Sequence, residues 1–200
     1  MRVTVTPEQI KSAFEAVKDD PAFEESRGIW ERGRPPVEML QAMCLRPEIL
    51  RAFGGFGDAL YPGGLLERRV QELVILTASH ANECQFCTNA HVDIVDIGGI
   101  LDQPLTMIAE PATLATRDRL AVEYSRAATL DSNHIPEPLL AELKEAFTDP
   151  ELVELTFLIG YINMLNLFNN SLGVRYDGDY RVLAQGQAAG PSSAPAASRP

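Results

Sequence analysis

ELVILTASHANECQFCTNAH, residues 72–91, decides the reading of this 200-residue chain. The stretch holds two of the three cysteines and two of the three histidines, and it opens with a carboxylate in an otherwise apolar run. Leu65 to Ala81 has Leu65, Val70, Leu73, Val74 and Leu76 at spacings that predict a helix. Asn82 is suited to capping a second helix from Glu83 to about Ile97, which Gly98-Gly99 ends. Cys84, Cys87 and His91 stand at i, i+3 and i+7, so they share one face of that second helix. Two cysteines one turn apart at a helix start can close a disulfide after modest adjustment, and the positive end of the helix dipole favours a thiolate there. His91, one turn beyond Cys87, is placed to accept its proton directly or through a water.

The place of Glu72 follows from length. If the chain reverses near Asn82, Glu72 and His91 each lie roughly 14–15 Å from the turn at ~1.5 Å per residue, and so face each other. The order Glu72, His91, Cys87, Cys84 is then a proton relay. A carboxylate beside Leu73, Val74 and Ile75 is costly to bury unless paired. The blander reading is an ion pair, or a solvated glutamate beside Arg68 and Arg69. His80 falls at the mouth of the site, as a hydrogen-bonding group or as a solvent-facing cap.

Outward from the hairpin the chain reads as helices throughout. Thr6-Pro7-Glu8-Gln9 opens one that runs to about Val17, and Asp19-Asp20-Pro21 ends it. Arg27 to Pro36 reads as irregular, anchored by Phe23 and Trp30. Pro35-Pro36 opens a helix in which Cys44 is a small buried hydrophobe. Pro47 begins another, weakened at Gly54-Gly55 and Gly57 and stopped by Pro62-Gly63-Gly64. Further helices start near Asp102, Thr116, Pro136 and Thr148, and His134 falls in a solvated turn. The last helix, Asp149 to about Ser171, is apolar nearly all round, which predicts a central helix or a subunit interface. Glu151, Glu154, Asn163, Asn166 and Asn169 interrupt the run a bilayer span needs. Residues 1–183 read as a single all-helical domain, and 184–200, rich in Ala, Gly, Pro and Ser, as a disordered tail.

A formal charge of −11 with no Lys/Arg stripe argues against nucleic acid and membrane surfaces as partners. Residues 1–20 show no apolar run of the secretory kind, so a cytoplasmic location is expected. In a reducing compartment a close cysteine pair is more often catalytic or metal-binding than structural.

Glu72, Cys84, Cys87 and His91, as E-x11-C-x2-C-x3-H, resemble the alkylhydroperoxidase D-like branch of the carboxymuconolactone decarboxylase superfamily. The similarity spans LLERRVQELVILTASHANECQFCTNAHVDIVDIGGI and, in helical layout, about Pro36 to Val174. It implies an all-α, oligomeric fold, often a trimer or hexamer. It also implies reduction of hydroperoxides through a Cys84–Cys87 disulfide, with a dithiol or redox protein as reductant and no metal, haem or other cofactor. Cys87 takes the attacking role and Cys84 the resolving role; dipole and exposure at the helix start instead favour Cys84 as attacker. The best-studied members carry histidine just before the second cysteine, where this chain has Phe86. The competing readings are lactone decarboxylation, a zinc site drawing on Cys84, Cys87, His91 and His80, and a non-catalytic helical module with a redox-sensitive staple.

Overall fold

A computed structural model describes residues 1–181 as ten α-helices with no strand among them. They are α1 (Pro7–Glu15), α2 (Glu24–Trp30), α3 (Glu38–Met43), α4 (Pro47–Ala59), α5 (Arg68–Ala81), α6 (Gln85–Gly98), α7 (Pro104–Ala109), α8 (Thr116–Asp131), α9 (Glu137–Ala146) and α10 (Asp149–Leu172). The all-α expectation holds, whereas the expected tail from Ala184 lies outside the described residues.

Local chemistry accounts for the helix starts. Thr6 and Gln9 form a capping box on α1, and Thr148 and Glu151 form one on α10, each with proline in the first turn. The first helix stops at Glu15, two residues short of the expected end, and α2 occupies part of the segment read as irregular. Helix α4 runs through its three glycines, two of which serve packing. A Cβ at Gly57 would meet the Ala22 Cβ at 2.5 Å and one at Gly54 would meet Phe23 at 3.0 Å, so these glycines let α4 pack closely on the Pro21–Phe23 turn.

The central helix is α5, not α10. Its residues Val70 to Ser79 are buried without a break, and it packs against α8, α10 and α6. The polar side chains Gln71, Glu72, Thr77 and Ser79 concealed that centrality from a hydrophobic pattern, yet each is bonded inside the protein. In α10 one face is buried through Leu155, Leu158, Ile159, Ile162 and Leu165, while Val153, Phe157, Met164 and Leu167 remain exposed. By length and composition alone α10 could cross a membrane, but here its buried face is part of the helical core.

The connection from α4 to α5 is pinned from both sides. Gln71 Nε2 donates to the carbonyls of Leu60 (3.0 Å) and Gly63 (2.6 Å), and the buried Glu154 carboxylate accepts from the amides of Leu65 (2.6 Å) and Leu66 (3.0 Å). Gly64 sits at φ +95°, where a Cβ would lie 2.3 Å from Glu154 Oε1. Gly64→Ala is therefore expected to lower unfolding stability by about 1–3 kcal/mol. Gly55→Ala, on an open helical surface with nothing within 4 Å, should raise it by ~0.5–1 kcal/mol. Urea unfolding of the two variants checks the contrast.

Candidate active site

The turn between α5 and α6 is tighter than the sequence implies. Asn82 closes α5 rather than opening α6, Glu83 takes a left-handed φ of +52°, and Cys84 is the N-cap of α6. The Cys84 amide donates to Ser79 O at 2.9 Å and its carbonyl accepts from Thr88 N at 3.0 Å. Placing cysteine at the cap leaves its sulfur beside the first turn of α6, where backbone N–H groups lack helical partners.

Helix α10 holds this turn through asparagines. Asn170 Nδ2 donates to Asn82 O at 2.9 Å, Asn82 Nδ2 to Asn166 Oδ1 at 3.0 Å, and Asn166 Nδ2 to Ser79 Oγ at 3.1 Å. Asn169, 1% exposed, directs Nδ2 at Cys87 Sγ from 3.2 Å. The asparagines first read as interruptions of an apolar run thus position the dithiol. Their three-residue spacing, Asn163, Asn166, Asn169, was the available signal, because it sets polar groups along one flank of an apolar helix.

Cys84 is 0% exposed and Cys87 4%, so exposure does not favour Cys84, contrary to expectation. Both thiols are free. Hydrogen bonds from the Cys87 thiol and backbone N–H, supported by Asn166 and Asn169, bring Cys84 from 9.0 down to about 7 against the cost of burial. Cys87 is pushed well up by its bond to Cys84, by burial and by the neighbouring negative charge. Above about pH 7 the pair thus shares one proton, with the thiolate favoured on Cys84. Cys44 lies in the same core with its sulfur toward Ile10 O, and burial pushes it up to about 11.

Glu72 faces His91, as the hairpin count predicts: Oε2 accepts from Nδ1 at 2.7 Å. With Nδ1 occupied by the carboxylate, Nε2 is the ring nitrogen that remains for proton exchange. The other oxygen of Glu72, Oε1, accepts from Arg68 Nε and from the Tyr61 hydroxyl, each at 2.7 Å. Arg68 Nη2 also donates to the Tyr61 oxygen at 2.6 Å, and the guanidinium lies 4.4 Å from the tyrosine ring centroid. Burial raises the Glu72 pKa, but facing His91, Arg68 and Tyr61 outweigh it and hold the carboxyl below its ordinary value. Burial and the Glu72 charge push Tyr61 well above the usual phenol range. The ion-pair reading of Glu72 holds, with His91 and Arg68 as its partners, while Arg69 turns away to Asp118 at 2.7 Å.

Tyr61 was missed from the sequence because nothing in a Tyr-Pro-Gly-Gly turn marks its hydroxyl as buried; the pinned connection delivers it. His80 is exposed and stands outside the cluster. Among the described residues no group of three or more His, Cys, Asp and Glu side chains gathers as metal ligands. His134 is exposed and bonds Asp131 at 2.6 Å.

A cavity of about 100 Å³ reaches Cys87 but not Cys84. Phe23, Phe53, Leu40, Tyr161 and Leu165 form its apolar side, and Cys87, His91, Tyr61 and Arg68 its polar side. Phe86 also lines it and meets Tyr176 edge-on at 5.8 Å, so this position carries packing where the resemblance expects a histidine.

Residues 47–121 match the carboxymuconolactone decarboxylase family model. The uncharacterised protein YnjA of Escherichia coli is 25% identical over 177 residues, covering 75% of this chain and 97% of YnjA. The alkylhydroperoxidase AhpD core structure of an uncharacterised peroxidase-related protein from Ralstonia eutropha superposes with a TM-score of 0.70 at 22% identity, covering 92% of this chain and 96% of that one. A Cys-to-Ala variant of the debrominase Bmp8, in complex with 2,3,4-tribromopyrrole, superposes at 0.69 and 18% identity over 93% of this chain and 98% of its own. At these identities the two structures establish a shared fold.

The proton sharing of the dithiol has a measurable form. Ultraviolet thiolate absorbance should rise in one step near pH 7, where Cys84 ionises, with Cys87 following far above its ordinary range and Cys44 near 11. The rate of alkylation should climb with the first step, because only the thiolate attacks. Cys87→Ala removes the S–H donor and should move the first midpoint up toward 9.0.

Proposed function

We propose that this chain belongs to the alkylhydroperoxidase D-like/carboxymuconolactone decarboxylase superfamily and is a thiol-dependent peroxidase that reduces hydroperoxides through Cys84 and Cys87. The observation that carries the proposal is the cavity that ends on Cys87, with Cys84 directly behind it and the Glu72–His91–Tyr61–Arg68 cluster on its wall.

The chemistry begins with a proton passing from the Cys87 thiol to the Cys84 thiolate, which places the nucleophile at the sulfur a substrate can reach. Cys87 S⁻ attacks the distal peroxide oxygen and the O–O bond breaks. Cys87 becomes a sulfenic acid, and the departing alkoxide takes a proton from the His91 side of the cluster to leave as an alcohol. The Cys84 thiol, giving up its proton, then attacks the sulfenic sulfur, and water leaves as the disulfide closes. Two thiols and one hydroperoxide thus become one disulfide, one alcohol and one water. A dithiol or a redox protein restores the thiols by exchange, which suits a reducing compartment.

Glu72 and Arg68 set the charge around His91, with Tyr61 bridging carboxylate and guanidinium. This arrangement supplies the polar wall that a histidine at the Phe86 position would otherwise provide. Lactone decarboxylation would leave the shared dithiol proton without a role, and a non-catalytic staple would need no cavity at Cys87. Turnover separates these readings. A peroxidase consumes hydrogen peroxide, cumene hydroperoxide or tert-butyl hydroperoxide repeatedly with dithiothreitol or a dithiol protein as reductant, whereas a staple oxidises once.

In a single turnover, one equivalent of hydroperoxide should consume two thiols and leave Cys44 free; peptide mapping that found Cys44 in the disulfide would count against the scheme. Glu72→Gln and His91→Ala should each slow peroxide reduction by roughly 10²–10⁴-fold. The double variant should be little slower than the slower single variant, since the two residues act as one unit. Steady-state rates across pH for the four proteins provide the check.

A further inference from the structure

Among the described residues that line the cavity, Cys87 and Met39 are the two that carry sulfur, and the chemistry proposed above uses only the first. Met39 belongs to α3 and is otherwise enclosed by the core, with 9% of its surface exposed, so small molecules reach its thioether through the cavity.

One amide serves both sulfurs. Asn169 Nδ2 donates to Cys87 Sγ at 3.2 Å and to Met39 Sδ at 3.5 Å, while Asn169 Oδ1 is buried with no hydrogen-bond partner. Both hydrogens of that nitrogen therefore go to weak acceptors, and no bond to the carbonyl oxygen holds the amide against turning toward a stronger one. Oxidation of the thioether would create such an acceptor, because a sulfoxide is polar where a thioether is not. The cavity of about 100 Å³ gives the added oxygen space. What Met39 gains Cys87 loses, since an N–H donor is what favours a thiolate in a buried place.

A hydroperoxide that reaches Cys87 also lies beside Met39, because both sulfurs stand within 3.5 Å of one nitrogen. While Cys87 is reduced, its thiolate reacts first. Once Cys84 and Cys87 are joined and reductant runs short, the thioether is the sulfur nucleophile left on the wall, and confinement beside the peroxide raises its rate above that of a thioether in solvent. The Met39 sulfur attacks the distal peroxide oxygen and the O–O bond breaks. The proton on that oxygen passes to the departing alkoxide. One thioether and one hydroperoxide thus become one sulfoxide and one alcohol, with sulfur giving up the two electrons that the peroxide gains. We propose that Met39 is such an oxidation site, and that its sulfoxide draws the Asn169 amide off Cys87 and slows the dithiol until a methionine sulfoxide reductase removes the oxygen. The inference rests on the peroxidase reading in requiring that a hydroperoxide enter the cavity.

The test exposes wild-type protein, reduced and then freed of reductant, to increasing tert-butyl hydroperoxide, and maps every methionine for a gain of one oxygen by peptide mass spectrometry. Exposure alone ranks Met164, at 51%, far ahead of Met39. The expected order is the reverse: after the equivalent that joins Cys84 and Cys87, Met39 oxidises at least about tenfold faster than Met164, and unfolding in urea abolishes the preference. Protein oxidised at Met39 and then treated with dithiothreitol, which restores the cysteines and leaves the sulfoxide, should turn over peroxide roughly tenfold more slowly, the effect of one lost hydrogen bond to a charged group. Methionine sulfoxide reductase should return the rate, and Met39→Leu should hold its own starting rate through the same exposure. Met164 oxidising before Met39 while the disulfide forms overturns this inference and spares the peroxidase reading. Met39 oxidising first with no disulfide supports the site and overturns the peroxidase reading, and neither event overturns both. A Met39 sulfoxide with an undiminished rate overturns the link through Asn169, as does a Met39→Leu variant that loses its rate as wild type does.

Discussion

A carboxylate with no exposure to solvent, Glu72, imposes conditions on everything around it. Stranding such a charge costs several kcal/mol, with removal of one partner of a buried pair typically worth about 3–5 kcal/mol. Glu72 is met on one oxygen by His91 and on the other by Arg68 and Tyr61. Each contact comes from a different structural commitment. Arg68 is one turn back on α5, His91 requires α6 to return in register, and Tyr61 requires the preceding connection to be held over the helix. Gln71 and Glu154 hold it, and Glu154 belongs to α10. The charge at the centre of α5 therefore ties together the hairpin, the connection before it and the last helix.

The hairpin was legible in the sequence because its information is local. Helical spacing places Cys84, Cys87 and His91 on one face, and counting from the turn places His91 opposite Glu72 without any tertiary knowledge. The cap was less legible: Asn82 and Cys84 are two residues apart, and choosing between them depends on a left-handed Glu83 that propensity disfavours. Tyr61 was not legible as a site residue, and the spacing of Asn166 and Asn169 marked a polar flank without naming its partners, because these roles depend on contacts across 11 to 87 positions of chain. The centrality of α5 was hidden for a related reason. Periodicity counts a buried glutamine or glutamate as a surface mark, and only the partner reveals that it is not.

Helix α10 serves three different environments on one cylinder. Its leucines and isoleucines complete the core, its asparagines hold the turn and touch the Cys87 sulfur, and its remaining seam faces outward. This division explains why the helix reads as apolar all round while burying only one side. The polar residues stand at the border between core and site, where an amide can donate to sulfur and backbone without bringing in a charge that would compete with the thiolate.

The cavity wall draws on both ends of the described chain. Phe23 and Ser26 line it from one side and Tyr180 from the other, and Tyr180 is tied to Tyr176 and so to Asp93 on α6. During synthesis the cysteines emerge roughly ninety residues before the tyrosines that enclose them. A nascent chain accordingly has its cysteine pair long before it has the full wall of the cavity beside Cys87. Until Tyr176 and Tyr180 arrive, the cavity lacks part of the wall that encloses Cys87.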